Sequence, residues 1–372
     1  MAKVPWGTGR GGTTVTTQGT AVHIQWSDGD YNAIADVGSQ RKLKFAVVAS
    51  NLITRAVSND TTAASTITAR KNGIDATQVV SIPATPSGVG EFEDTSGTDA
   101  YAVDDLVNMK NLCGTGGTGV GFSYNAMIAD PTDGSTVLAY CLTNNAASGT
   151  SNTKFYAPGS TNASAADTET PRQQLRTRCA GVLKNFTYRF GTVTRITDST
   201  FGARINGVDS ALVIVIPALS AAGHFEDTSH TAAVAVGDVW DTYGTAGTGV
   251  GACAAPVGNL DLVTTNAMAT YVATPSNGGL FNAAETNYQL PQAKLNGNPT
   301  ESAQQMKAQV AGIAGQHQVY IGINGVTATS TLALRKNAAA GAGSIAIGSG
   351  LTGWFEDTSH LDALVPTDEI DW

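Results

Sequence analysis

Charge is scarce in this sequence. Charged residues fill 14% of 372 positions, where about 25% is usual for a soluble domain, and 21 basic residues against 30 acidic ones leave a net charge of −9. With so few Lys and Arg, no basic stripe is available to release counterions from a phosphate backbone, which excludes nucleic acid as a partner. Apolar runs of about 18 residues are also missing, so no membrane-spanning helix is expected and no membrane partner. The opening segment Met1-Ala-Lys-Val-Pro-Trp-Gly-Thr-Gly-Arg10 lacks the apolar centre of a secretion signal, so synthesis and assembly in the cytosol are expected. No Cys-x-x-Cys pair occurs, which removes the common zinc patterns. The four cysteines, Cys113, Cys141, Cys179 and Cys253, do not recur at equivalent places in the repeats described next. They read as small core residues rather than a disulfide frame.

What the sequence does contain is repetition. The pentapeptide Phe-Glu-Asp-Thr-Ser begins at Phe92, Phe225 and Phe355, giving spacings of 133 (225 − 92) and 130 (355 − 225) residues, near the commonest size of a domain. About twenty residues upstream stand Arg70-Lys-Asn-Gly73, Arg204-Ile-Asn-Gly207 and Arg335-Lys-Asn-Ala338. Twelve residues after each motif Glu comes an Asp: Glu93 to Asp105, Glu226 to Asp238 and Glu356 to Asp368. The constant interval means one turn geometry used three times.

Between these markers the pattern is that of strands. Thr66–Arg70 and Thr331–Arg335 alternate, and the Asn-Gly that follows in two copies favours a type I′ hairpin, since both central positions need positive φ; Ala338 weakens that expectation in the third copy. The apolar runs Val79–Ile82, Leu212–Ile216 and Ile345–Ile347 suit strands covered on both faces, and Pro83 and Pro217 end two of them. Many short strands with turn signals every 8 to 12 residues or so, and no competing helix, predict a β-sandwich of the jelly-roll type in each unit.

Two readings of the pentapeptide follow. In the first, Phe92, Phe225 and Phe355 plug the sandwich while the Asp, Thr and Ser side chains bind backbone groups of the loop. In the second, Glu93, Glu226 and Glu356 converge with neighbouring Asp residues on an axis and hold a hard cation such as Ca²⁺. His230 and His360 would flank such a site, but Gly97 stands there in the first copy, and three equivalent units should not lose a ligand in one. The first reading is preferred, with no cofactor. None of the five histidines, His23, His224, His230, His317 and His360, recurs in all three units, and no nucleophile and base stand out, so no catalytic residue is assigned and the chain is not expected to be an enzyme. The run Gly114-Thr-Gly-Gly-Thr-Gly119 lacks the Lys-Ser/Thr and helix of a phosphate loop and reads as a glycine-rich turn.

In the first two copies the marker Asp105 or Asp238 is followed by a strand, a Gly-Thr-Gly block and a closing strand. After Asp368 only Glu-Ile-Asp-Trp remains. Residues 6–15, Trp-Gly-Thr-Gly-Arg-Gly-Gly-Thr-Thr-Val, resemble the missing block, so residues 1–15 are expected to supply the closing strand of the third unit, because an unfinished sandwich leaves a raw sheet edge. Within one chain this gives a closed pseudo-trimeric monomer; between chains it gives self-association by strand donation. The closed form is favoured by effective concentration. Composition alone could also produce the likeness, in a chain this rich in glycine. The expected division is 1–15 for that strand, 16–135, 136–263 and 264–372 for three jelly rolls in pseudo-threefold arrangement.

The order Arg-x-Asn-Gly, apolar strand, Gly-x-Phe-Glu-Asp-Thr-Ser, Asp and Gly-Thr-Gly resembles the small jelly-roll domains, similar to the TNF/C1q type, of tailed-bacteriophage structural proteins. Phe155-Tyr-Ala-Pro-Gly159 ahead of Arg172–Gly181 resembles the opening of such a domain. The resemblance implies a virion protein assembled in the host cytoplasm: a capsid decoration or cement protein whose partner is the major capsid protein or another virion protein. The alternative it leaves is a head or tail fibre that binds host surface glycan, with Trp26, Trp240, Trp354 and Trp372 as stacking candidates.

Overall fold

The computed structural model describes residues 4–15, 18–19, 21–24, 39–133, 136–143, 153–156, 158, 168–249, 251–254, 257–264, 293–294 and 305–372. Strand is the dominant structure, joined by turns and one 3-10 turn at Pro171–Gln173, with no α-helical element among the described residues. The first repeat contains β1 (Val4–Val15), β2 (Ala21–Ile24), β3 (Arg41–Lys42), β4 (Val47–Asn59), β5 (Ser65–Lys71), β6 (Ile74–Ile82), β7 (Gly90–Tyr101), β8 (Leu106–Leu112) and β9 (Val120–Pro131). The second contains β10 (Thr136–Thr143), β11 (Thr153–Tyr156), β12 (Leu175–Arg176), β13 (Gly181–Phe190), β14 (Thr192–Val193), β15 (Ser199–Ile205), β16 (Val208–Ile216), β17 (Gly223–Val234), β18 (Val239–Thr245), β19 (Cys253–Ala254) and β20 (Val257–Thr264). Then follow β21 (Ala293–Lys294), β22 (Met306–Lys307), β23 (Gly312–Ile321), β24 (Ser330–Lys336), β25 (Ala339–Ile347), β26 (Gly353–Leu364) and β27 (Glu369–Asp371).

The strand orders repeat. In the first repeat the sheets run β1-β9-β4-β7, with β21 outside β1, and β2-β8-β5-β6, with β3 also on β8; in the second they run β10-β20-β13-β17 and β11-β18-β15-β16, with β12 also on β18. The third has β22-β27-β24-β25 and the pair β23-β26. Each repeat thus sets one sheet against another as a β-sandwich. Alternation drives this: along β13 the buried Leu183, Phe186, Tyr188 and Phe190 turn to the opposing sheet, where Phe201 lies 5.0 Å from Tyr188 and 5.1 Å from Phe190. Each such ring contributes about 1.5–3 kcal/mol through burial.

Two apolar clusters result. The larger runs unbroken from Leu52, Ile67 and Val107 of the first repeat to Leu183, Phe201 and Trp240 of the second. The smaller joins Ile53, Tyr124 and Ala126 of the first repeat to Met306, Ala308 and Ile370 of the third.

All three hairpin turns survive. Asn72, Asn206 and Asn337 each have φ of 52°, followed by Gly73 at 79°, Gly207 at 76° and Ala338 at 61°. The alanine therefore takes the left-handed conformation that the sequence reading expected it to disfavour. Arg70, Arg204 and Arg335 each fold over their own turn, donating to the carbonyls of Gly73, Gly207 and Ala338. Left-handed backbone costs a residue with a Cβ about 1–2 kcal/mol, part of which glycine returns as unfolded-chain entropy. Ala338→Gly is therefore expected to stabilise the third repeat by about 0.5–1 kcal/mol, read as a higher urea midpoint.

The N-terminal strand corrects the sequence expectation. Residues 4–15 do not close the third repeat: β1 runs antiparallel to β9, from Val4 opposite Ala129 to Val15 opposite Val120. It fills the slot beside β9 that β10 fills beside β20. The likeness to the Gly-Thr-Gly turn was compositional, and the twelve residues pair as a strand along an edge that needs covering.

Candidate functional site

The repeated pentapeptide lies on β7, β17 and β26, and its Asp is a local anchor. The neighbouring strands β4, β13 and β23 each carry a bulge at a residue with positive φ, Asn51 (53°), Asn185 (56°) and Gln316 (56°). Opposite this bulge the pentapeptide strand arches. Asp227 Oδ1 accepts from the Ser229 amide (3.1 Å), the Ser229 hydroxyl (3.0 Å) and the His230 amide (3.1 Å), while Oδ2 accepts from the amide of Val213 on β16 (3.1 Å). Asp94 does the same with Ser96, Gly97 and Val79, and Asp357 with Ser359, His360 and Ser344. Burial opposes ionisation of Asp94 and Asp227, but these N–H donors outweigh it and hold both below the ordinary carboxylate range. The Ser344 amide leads the same effect at Asp357.

The pentapeptide Glu reaches outward to the next repeat. Glu226 Oε2 lies 3.1 Å from Lys42 Nζ and 2.7 Å from Lys44 Nζ of the first repeat. Glu356 Oε2 lies 3.1 Å from Arg176 Nη1 and also meets Arg178, both of the second repeat. Glu93 Oε1 lies 3.4 Å from Lys307 Nζ of the third. The three bridges therefore close a cycle: first to second, second to third, third to first. Lys42, Arg176 and Lys307 stand at matching positions, one on each of β3, β12 and β22.

This is the set that sequence reasoning missed. The signal was present, because a cation recurs at 42, 176 and 307 with nearly the spacing of the pentapeptides. It was overlooked because Lys and Arg alternate there and their surroundings are not otherwise alike.

Such half-exposed bridges are worth about 0.2–1 kcal/mol each, so they set register between repeats more than they supply adhesion. Adhesion comes from buried groups. Between the first and third repeats it is the Met306 and Ala308 cluster with Tyr124, whose hydroxyl donates to Glu91 Oε2 at 2.5 Å. Between the first and second it includes Arg41 and Asp261, 1% and 0% exposed, with Nη2 and Oδ1 3.7 Å apart. Asn185 and Asn259 each donate to Asp261 at 2.9 Å.

Each glutamate is instead paired with a cation of another repeat, and no group of three His, Cys, Asp or Glu that could hold a metal occurs among the described residues. The serine, histidine and aspartate of the second motif are not a triad: Ser229 Oγ and Asp227 both approach the same His230 nitrogen, Nδ1, at 3.2 and 3.0 Å, whereas a triad needs them on opposite nitrogens. Ser359, His360 and Asp357 repeat that geometry. Gly97 has a physical reason to replace histidine, since a Cβ there would stand 2.7 Å from Asp94 Oδ2 and 2.9 Å from Gln78 Cγ. In the glycine-rich run the N–H groups of Thr118 and Gly119, which a phosphate would need, donate to Asp60 at 2.7 and 2.6 Å.

Among the tryptophans, Trp240 is buried in the core, Trp372 packs edge-on against His317 at 4.7 Å, and Trp354 lies half-buried 5.3 Å from Tyr320; Trp26 lies outside the described residues. Phe92 and Phe225 pack against the core while only partly buried. Cys113 and Cys253 are buried free thiols, Cys179 is buried, and the Cys141 side chain lies outside the described residues.

One buried acid departs from its counterpart. Asp241 on β18 occupies the place that Asn108 takes on β8, opposite Arg204 and Arg70 respectively. Burial, and then the neighbouring Glu169 carboxylate, push Asp241 up to about 8. A carboxyl raised in the native state takes up a proton on folding, so its contribution falls as pH climbs from about 4, the unfolded value, towards 8. Asp241→Asn is expected to flatten that slope and add about 1–3 kcal/mol above pH 8, the scale of a buried uncompensated polar group, measured by urea unfolding at pH 5 and pH 8.5.

The chain matches no protein-family model and no curated protein.

Proposed function

We propose that this chain is a structural protein of a bacteriophage virion, a decoration or cement protein on the outer surface of the head, built of three tandem jelly rolls about a pseudo-threefold axis. The observation that carries the reading is the closed cycle of Glu226, Glu356 and Glu93 bridges. The most repeated polar residues of the chain are spent on joining its own parts, which is what an assembly block needs. Eight-stranded counts of the form β10-β20-β13-β17 against β11-β18-β15-β16 support the jelly-roll assignment, and the matching cation positions support the axis. The partner in this reading is the major capsid protein or another virion protein.

Purified chain mixed with preformed heads tests it: saturable binding is the expected result, and free chain at every ratio contradicts the reading. A second reading, a fibre that binds host glycan, draws on the half-buried Tyr320 and Trp354 pair, since adjacent aromatic faces can stack on sugar rings. Glycan-array binding lost in Trp354→Ala, with no binding to heads, would favour it.

A further inference from the structure

The middle strands β4 and β13 are each paired on both sides: β4 lies between β9 and β7, and β13 between β20 and β17. Their counterpart β23 is paired, among the described residues, with β26 alone. Its side chains show the consequence. Val319 and Ile321 are half-buried where the corresponding Tyr188 and Phe190 are 1% and 0% exposed, and Ile313 is 69% exposed. Gly312–Ile321 holds no Lys, Arg, Asp, Glu or Pro, the residues with which free sheet edges are ordinarily blunted. The bulge at Gln316 is no guard either, because the fully paired β4 and β13 have it too.

We infer that the edge of β23 left unpaired among the described residues receives one antiparallel strand from a partner protein, of about the length and apolar alternation of β20. The chain displays that occupant twice. On β20, Leu260 and Leu262 enter the sandwich core, while Asp261 between them faces the neighbouring repeat at Arg41. On β9, Met127 and Ala129 enter the core while Tyr124 and Ala126 meet Met306 and Ala308 of the neighbouring repeat. The β13 register, Gly181 opposite Thr264 and Arg189 opposite Val257, transfers to Gly312 through Tyr320. An incoming strand would thus lay one face over Leu334, Ile345 and Ile347 and the other towards Leu175 on the second repeat, the counterpart of Met306. It must be apolar at alternate positions on one face and small or uncharged on much of the other. Backbone hydrogen bonds supply affinity, and the alternate pockets supply choice of partner.

The test is hydrogen exchange on the full chain at one low concentration, alone and with a synthetic peptide of the β20 sequence Val257–Thr264 carrying Asp261→Ile, the residue at the matching position of β9, or with its scramble. A second arm appends residues 246–264, with the same Asp261→Ile substitution, after Trp372. The expected result is fast exchange of the β23 amides in the chain alone, slowed at least tenfold by the peptide or by the appended segment and unaffected by the scramble. β23 amides as slow as those of β13 in the chain alone, or fast exchange persisting in both arms, would overturn the proposal. Protection that grows with chain concentration assigns the edge to a second copy and overturns it as well.

Discussion

Arg41→Met alone, or Asp261→Ile alone, is expected to cost about 3–5 kcal/mol, because each breaks a buried ion pair by removing one side of it. Both together are expected to be neutral or stabilising. The prediction comes from the repeats themselves: the position of Arg41 on β3 is Met306 on β22, and that of Asp261 on β20 is Ile128 on β9. The joint between the third and first repeats is thus already apolar at the position of Arg41, where Met306 sits in a buried cluster with Tyr124 and Ala126. Both residues are buried, so water is shut out of the broken pair in either single variant. Burial, set against the attraction of Arg41, already raises the Asp261 carboxyl above its ordinary range. Urea unfolding of the four proteins forms a double-mutant cycle, and a coupling near zero would remove Arg41 and Asp261 from the joint.

Asp227→Ala is the second large effect. It strips acceptors from the amides of Val213, Ser229 and His230 and from the Ser229 hydroxyl, and a loss of about 2–4 kcal/mol follows if one or two of those groups stay dry. The pH dependence has a fixed sign. A carboxyl held below its unfolded pKa of about 3.9 contributes fully above that value and loses the contribution as pH falls through the native one. Wild-type protein should therefore lose stability below about pH 4 faster than the variant does, with Asp94 and Asp357, and the likewise lowered Asp105, Asp238 and Asp368, adding to the acid sensitivity that remains. Parallel acid limbs for the two proteins would show that Asp227 does not carry the anchor.

Much of the fold was legible in the sequence because its devices are local. Alternation of apolar residues, Asn-Gly turns and the fixed interval between the motif Glu and its Asp are each read within a few residues. The Asp that ends the interval of twelve has a bond of its own: Asp105, Asp238 and Asp368 accept from Asn72, Asn206 and Asn337 at 2.7, 2.8 and 2.7 Å, tying hairpin to turn in every repeat. The preferred role of the motif Asp was legible for the same reason. The Glu was not, because its partner lies 184, 180 or 214 residues away, and no pattern in one strand shows which strand of another repeat it will meet. The placement of β1 failed on a different ground. Glycine and threonine suit both a turn and an edge strand, so composition does not choose between them. Ala338 shows the limit of propensity: the Arg335 guanidinium and the Asn337 bond to Asp368 hold the turn that its own side chain disfavours.

The closed cycle of bridges between repeats is best tested by zero-length carbodiimide coupling of dilute, monomeric chain, with the coupled peptides identified by mass spectrometry. Lys44 to Glu226, at 2.7 Å, and Lys307 to Glu93, at 3.4 Å, are expected within one chain and at the same yield on dilution. Coupling of Lys307 to Glu93 that is absent from the monomer, or that appears only in cross-linked dimers, would contradict the account.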